Sequence, residues 1–545
     1  MPLTLCAAGC SVADADTDLA RHTSALAGSC PEQIRSGDVF VDSAAGLAEL
    51  ASVTEITGRL TLEVLPGVTD LDQLACLRAV GGDLRVQELE DLEHLDGFPA
   101  LESVGGVLFI SNNYALATIT GFDQLTHVGE AVRIEEHEDL VELGGFGAAQ
   151  TLPRLRLSEN PELVAVSGFS QLTSLDFELF LEANESLVDL SGPAQLRSIG
   201  ALDMNDVGIK ALGGLPALEE ITGYLAVQGE DLDPTGPGLP SLRRVGGSVA
   251  LRDFPLGFDF FPGLHTVEGD VFIEDCSVEV FAGFGALRSV GGSVLLFDIA
   301  LDDLTAFGNL RSIGEDLAFG VITASSLRGF HALRRVGGQL VAFELQQVDT
   351  FGGFDELRHV DGGIVFDEVG GLTQIDGFGA LRRLDSDLFL SGLSGLTQLD
   401  AFANLRRVSG QVWISEIATA TAGAGLGRLR AIDGDLNINN SNASMIDRLG
   451  HLRAVGGRLS LNNNGGAVDL DGLSALRFIG DGLHINDHDD LADLSGLLGL
   501  RALGGDLHIV GNTSLASAEA YALLDHLLAQ GFAGEVLIQD NADAQ

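Results

Sequence analysis

The chain has 545 residues, 46% hydrophobic and only 20% charged, a balance that excludes an intrinsically disordered polymer. Its 79 Asp and Glu against 30 Lys and Arg leave a formal charge of −49, a field that repels phosphate backbones and argues against a nucleic-acid partner. No stretch approaches the roughly 18 continuous apolar residues of a membrane-spanning helix, so membrane contact is expected only through a lipid anchor.

Met1 to Cys10 reads MPLTLCAAGC, and a small, acidic segment follows, Ser11 to Ala20. Ala7-Ala8-Gly9-Cys10 resembles the end of a bacterial lipoprotein signal, in which Cys10 would carry the lipid. The apolar run before it has no basic start and is shorter than the ~7–15 residues such signals use, for which one explanation is a start codon upstream of Met1. Residues 1–36 are therefore expected to be a truncated signal, a tether and an N-terminal cap. The expected location is the cell envelope, at the outer membrane or cell surface. With Cys6 removed and Cys10 acylated, three of the five cysteines remain, and Cys30 with Cys76 is the candidate pair. Each precedes a strand by eight or nine residues, but those strands lie two rungs apart. Equivalent positions would be separated by about 9–10 Å, too far for a bridge without distortion.

The first strand is read at Val39-Phe40-Val41, and the same triplet, two apolar residues flanking a variable one, occurs 22 times. From Leu60 to Leu507 the interval is always 22, 23 or 24 residues, as at Leu84-Arg85-Val86, Leu108-Phe109-Ile110 and Val412-Trp413-Ile414. A fixed period of this size predicts one stacked unit repeated over residues 37–513, an all-β parallel solenoid on the order of 100 Å long at ~4.8 Å per rung. Alternation sends the flanking residues inward and the middle one outward. Gly105-Gly106, Gly246-Gly247, Gly291-Gly292 and Gly504-Gly505 are expected to make tight corners with positive φ.

Phe98, Phe122, Phe169, Phe284, Phe330, Phe354 and Phe378, each after a glycine, share one station and should stack internally. Five positions after the strand start, Asn113, Asn160, Asn184, Asn464 and Asn512 recur as a ladder that satisfies corner backbone groups. In the middle rungs that station turns apolar, from Ile299 and Ile322 through Leu345, Val369 and Leu393 to Ile417. Cys276 falls at an inward corner as an apolar filler. Residues 514–545 break the period and read as a C-terminal cap. Tyr521, Leu524 and Leu528 share a helical face within Ser517 to Gln530, Gly531 is a stop, and Val536-Leu537-Ile538 is a final strand.

The recurring G-x-L-x-I-x-x-N-x-x-L-x-x-L-x-G-F-x-x-L-x-x-I pattern resembles the receptor L domain, the leucine-rich-repeat-like module of growth-factor receptor ectodomains. Leu108 to Val128, LFISNNYALATITGFDQLTHV, matches nearly position for position, and Cys30-Pro31 before Gly37-Asp38-Val39 looks like an L-domain opening. The resemblance covers almost the whole chain and implies a right-handed β-helix of parallel strands. Long bacterial relatives, often lipoproteins, are similar in style. The pattern is structural and carries over no catalytic residue.

Function is expected at outward positions. From Phe272 through Leu295, Ala318, Val341, Val365 and Phe389 to Trp413, seven successive rungs carry no polar residue there. A stripe of that length, ~30 Å, predicts a binding or self-association face anchored by Phe389 and Trp413. A second candidate interleaves Phe109, Arg133, Arg156 and Phe180, rings and guanidinium groups suited to a sugar or an anion. His484 and His508 sit on adjacent rungs, with His488 on the neighbouring loop. Too few ligands accompany them for a metal, so solvated surface histidines are expected, and no cofactor.

Nucleophile-elbow, zincin, P-loop, dinucleotide and nonapeptide calcium motifs are all absent. The strand-middle positions from Leu60 to Leu507 offer one acid, Asp203. The sequence thus predicts a non-enzymatic surface protein presenting an extended face to a protein or glycan. The alternative is a carbohydrate-active enzyme on a β-helix scaffold, which needs paired carboxylates.

Overall fold

The computed structural model describes residues 30–542 except 208–211, 230–237, 255–258, 278–282, 302, 346, 418, 420–422 and 424. Two compact units are present, Met1–Leu196 and Arg197–Gln545. Both are parallel β-solenoids, and every triplet read from the sequence lies in a strand. In the first unit, Val39–Val41, Leu60–Glu63, Leu84–Gln87, Val107–Ser111, Ala131–Glu135, Thr151–Ser158 and Ser174–Asn184 pair in that order. Two narrower sheets of two-residue strands complete each turn, Ile34–Arg35 to His127–Val128 and His94–Leu95 to Ala165–Val166. The second unit repeats the plan from Ser198–Val207 to Val536–Gln539.

The triplet alternation is obeyed. Leu84 and Val86 are buried while Arg85 between them is partly exposed, and Leu388, Phe389 and Leu390 behave the same way. The phenylalanine station stacks as expected and is longer than the sequence reading made it. In the first unit Phe146 joins Phe98, Phe122 and Phe169, with ring centroids 4.5–5.4 Å apart. In the second, Phe307 and Phe402 join Phe284, Phe330, Phe354 and Phe378 at 5.0–5.5 Å. Cys276 is a buried free thiol, as its station implies.

The glycine pairs have a different reason from the one expected. None of those eight residues has positive φ. A Cβ on Gly105 would overlap the Gly81 carbonyl of the preceding turn, and Gly246, Gly291 and Gly504 meet the carbonyls of Thr222, Glu268 and Gly480 in the same way. The second glycine clears an aspartate instead at Gly106, Gly292 and Gly505, and the Gly223 backbone at Gly247. Asp83 and Asp270 reach up past Gly106 and Gly292 to accept the backbone N–H of Val107 and Ser293, at 3.1 and 2.7 Å. Positive φ lies elsewhere, four residues after the strand start. There the residues are mostly acidic, such as Glu88, Glu136, Asp275, Glu344, Glu368 and Asp487.

The inward asparagines do form ladders, and two histidines belong to them. His137 and His488 occupy the same station, so the expectation that His488 is a solvated loop residue is wrong: it is 1% exposed. Asn464 Nδ2 lies 3.3 Å from His488 Nε2, and His488 Nδ1 lies 3.2 Å from Asn512 Oδ1. This matches a neutral ring that accepts on one side and donates on the other. In the first unit, Asn113 Oδ1 accepts the Leu89 N–H, while the Asn113 N–H donates to His137 Nδ1.

Two further expectations change. Cys30 and Cys76 are bridged, with Cα atoms 5.8 Å apart. The rung-spacing objection treats Cys30 as part of the periodic path, but the first paired strand begins at Ile34 and Cys30 precedes it in irregular coil. The C-terminal helix, Ser517–Ala529, buries Ala520, Leu523 and Leu527, whereas Tyr521 and Leu528 are exposed. Both sets have 3–4 spacing, and a one-residue offset rotates the buried face by about 100°. Gly531 does end the helix, at φ +93°.

Gly291→Ala should lower stability by about 2–4 kcal/mol in urea unfolding, because its overlap is with backbone that must move as a whole rung. Wild-type stability would show that the rungs separate freely. A pH effect follows from His137, whose pKa burial lowers to about 4 from 6.5. The unfolded chain takes up that proton first, so the contribution is full above about pH 6.5. It is lost as pH falls, by roughly 3 kcal/mol on reaching pH 4. Urea titrations at several pH values should show His137→Asn flattening this slope.

Candidate binding faces

Parallel pairing places the seven residues of the apolar stripe in register. Phe272 pairs with Leu295, then Ala318, Val341, Val365, Phe389 and Trp413 follow one rung at a time. Ala318 is buried and the other six are half-buried, keeping part of their surface open. Trp413 and Phe389 are stacked with nearly parallel planes, 14° apart, and centroids at 6.0 Å. The indole N–H donates to Ser415 Oγ at 3.0 Å, and Ser415 donates on to Ser391 Oγ at 3.1 Å. That relay fixes the orientation of the indole beside Phe389.

A second outward column, three residues after the strand start, adds aromatic surface that the sequence reading missed. Phe297 lies between Phe272 and Phe343, at 6.2 and 5.9 Å. Gly320 sits on the rung between Phe297 and Phe343, where a Cβ would strike both rings. The signal was available, since Phe297, Gly320 and Phe343 share one offset. At its start the patch is flanked by Arg252, whose guanidinium lies 5.2 Å from the Phe272 ring centre.

In the first unit Arg85, Phe109, Arg133, Arg156 and Phe180 also follow one another in register. The Arg133 guanidinium lies 5.3 Å from the Phe109 ring centre, and that of Arg156 lies 3.9 Å from Phe180. Glu135, nearly buried, is the centre of this group. It accepts from Arg133 Nε and Nη2 at 2.8 and 3.0 Å, and Arg156 Nε approaches it to 3.3 Å. Glu182 lies 3.7 Å from the other side of Arg156. Two cations thus face two carboxylates, so an anion here would have to displace one of them. What remains outward is an alternation of ring and guanidinium planes.

His484 and His508 stack at 4.4 Å with 12° between their planes. Burial, then the neighbouring His508 and Arg458, hold the His484 pKa below its ordinary value. Among the described residues no three His, Cys, Asp or Glu converge as a metal site would need. Cys10, the expected lipidation site, lies outside the described residues.

No protein-family model matches the chain, and no curated protein does. Among solved structures it is similar to the crystal structure of the TLR13–ssRNA13 complex, at 13% identity over 91% of this chain and 89% of that one. The TM-score is 0.25, too low to bear on function.

Glu135→Gln should cost about 1–3 kcal/mol in urea unfolding, since it leaves partly buried guanidinium groups without their charged acceptor. Unchanged stability would show that the carboxylate contributes nothing to this group.

Proposed function

We propose that the chain is a non-enzymatic, exported binding protein, tethered to the bacterial envelope, that presents the outward sheet face between Phe272 and Trp413 to a protein or glycan. The observation that carries this reading is the unbroken apolar register of that face, widened by Phe297 and Phe343. Contiguous apolar surface of this kind is disfavoured on a water-exposed sheet unless a partner covers it, at ~25 cal/mol per Å² buried. The Trp413 ring, held by its hydrogen bond to Ser415 and stacked with Phe389, also loses little freedom on contact, which suits it as an anchor.

Export is supported by the Cys30–Cys76 disulfide, because such bonds persist in oxidising compartments. The lipoprotein-like Ala7-Ala8-Gly9-Cys10 and the acidic segment after it support tethering through Cys10, in a chain of receptor-L-domain type. The charge of −49 weighs against a nucleic-acid partner.

The test replaces Phe389 and Trp413 by alanine together. Binding to bacterial envelope preparations, and any self-association seen by sedimentation, should weaken by about tenfold or more while the unfolding transition stays in place. If the double variant unfolds far more easily and the wild type associates with nothing, the stripe serves the fold and the proposal fails. Turnover of any polysaccharide, abolished by substituting one acid, would overturn the non-enzymatic part.

A further inference from the structure

Resting on the binding reading above, we infer that the six strands from Leu388–Ser391 to Leu507–Val510 form a platform for an uncharged glycan chain, which stacks on Phe389 and Trp413 and runs toward His508. These strands carry two outward columns, twelve side chains in all, and none is Asp, Glu, Lys or Arg. In a chain with 109 such residues (79 acidic and 30 basic), mostly on its outside, a charge-free outward surface of this size is unusual. Charge stops at its borders. Asp387 and Asp435, just before their strands, accept the backbone N–H of Gln411 and Arg458, each at 2.7 Å. Glu416 and Asp487 turn away at the positive-φ corners on the other side.

The chemistry inside that border changes along one column in a definite order. First comes the stacked ring pair, Phe389 and Trp413. Asn437 follows in register with Trp413, and its amide makes no hydrogen bond among the described residues. Ser460 is next, and the stacked pair His484 and His508 ends the column. Beside it runs a chain of amides: Asn462 donates to Asn439 Oδ1 at 2.7 Å, and Asn486 donates to Asn462 Oδ1 at 2.9 Å. That chain fixes the amide planes before any ligand arrives, so little freedom is lost on binding.

A pyranose offers two apolar C–H faces and a rim of hydroxyl groups. Flat rings match the faces, and amide and imidazole groups, each both donor and acceptor, match the rim. The rung spacing of ~4.8 Å is also about the length of one sugar unit, so successive rungs can meet successive sugars. A phosphorylated ligand is disfavoured by the surrounding negative field. A partner protein would gain little apolar burial on the amide and imidazole half of this surface.

Trp413 is the only tryptophan, so its emission reports contact at the platform directly. The full chain is titrated with cellohexaose, chitohexaose, maltohexaose and mannohexaose, with hexagalacturonate as the charged comparison. At least one neutral hexasaccharide should change the emission saturably, and hexagalacturonate should not. Asn437→Ala and His484→Ala should each weaken that binding by about tenfold and leave unfolding unchanged. Emission unmoved by every neutral sugar at ~1 mM, a concentration that detects a Kd of that order, would overturn the inference, as would wild-type affinity in both variants or preference for hexagalacturonate. Should the Phe389 and Trp413 double variant lose a macromolecular partner while all neutral sugars fail, the binding reading stands and the glycan inference falls.

Discussion

In a parallel ladder each residue sits directly above its counterpart one turn earlier, separated only by the hydrogen-bond spacing between strands. A side chain is therefore selected first by its own column and only second by its neighbours in sequence. At the glycine corners this constraint is steric. The carbonyls of Gly81, Thr222, Glu268 and Gly480 occupy the space a Cβ would need on the next turn. At the phenylalanine station it is attractive, since rings at 4.5–5.5 Å fill the interior without a polar atom to satisfy. At the asparagine station it is polar: the amides bond backbone of the turn below, and those of Asn160 and Asn512 also bond their counterparts on the next.

The strands were legible because alternation and a fixed interval are properties of the linear text. The phenylalanine stack was legible for the same reason, and Phe307 and Phe402 were missed because alanine, not glycine, precedes them. The purpose of the glycine pairs was not legible, because it depends on a carbonyl some 24 residues away in sequence. Positive φ at Glu88, Glu344 and Glu368 runs against local propensity, which favours glycine or asparagine there, and only the turn geometry reveals it. His137 and His488 could have been found, since each stands five residues after its strand start, at Val132 and Leu483. The strand-middle outward column was read in the right register. How Glu135 engages Arg133 and Arg156 was not, because it depends on where long side chains fold back.

Electrostatics divides the outward surface into regions of different use. Much of the acidity is organised, with carboxylates at the positive-φ corners and aspartates consumed by backbone N–H groups before the strands. The arginines of the first unit are matched locally, two guanidinium groups to Glu135 and Glu182, so that group is close to neutral despite its four charges. From Val294–Ala300 onward the two outward columns of the second unit lose basic residues and then, after Asp367, lose acids as well. Neutrality arrived at by pairing leaves planar groups committed to one another. Neutrality arrived at by omission leaves amides and imidazoles ordered on one another with no charge to match.

This separation has a consequence for how such a protein can change. Inward columns are constrained by stacking on both sides, so a substitution there disturbs two neighbouring turns. Outward columns contact mainly their own counterparts above and below, and their side chains contribute less to the core. Gly320 is an instructive exception. It is an outward position, yet Phe297 and Phe343 close over it, and any larger residue would part the two rings. An outward column is therefore free to vary except where its members have packed on one another. Such packing on a water-facing sheet adds little to the interior, so at Phe297, Phe343, Phe389 and Trp413 it fits a surface that presents rings to a partner.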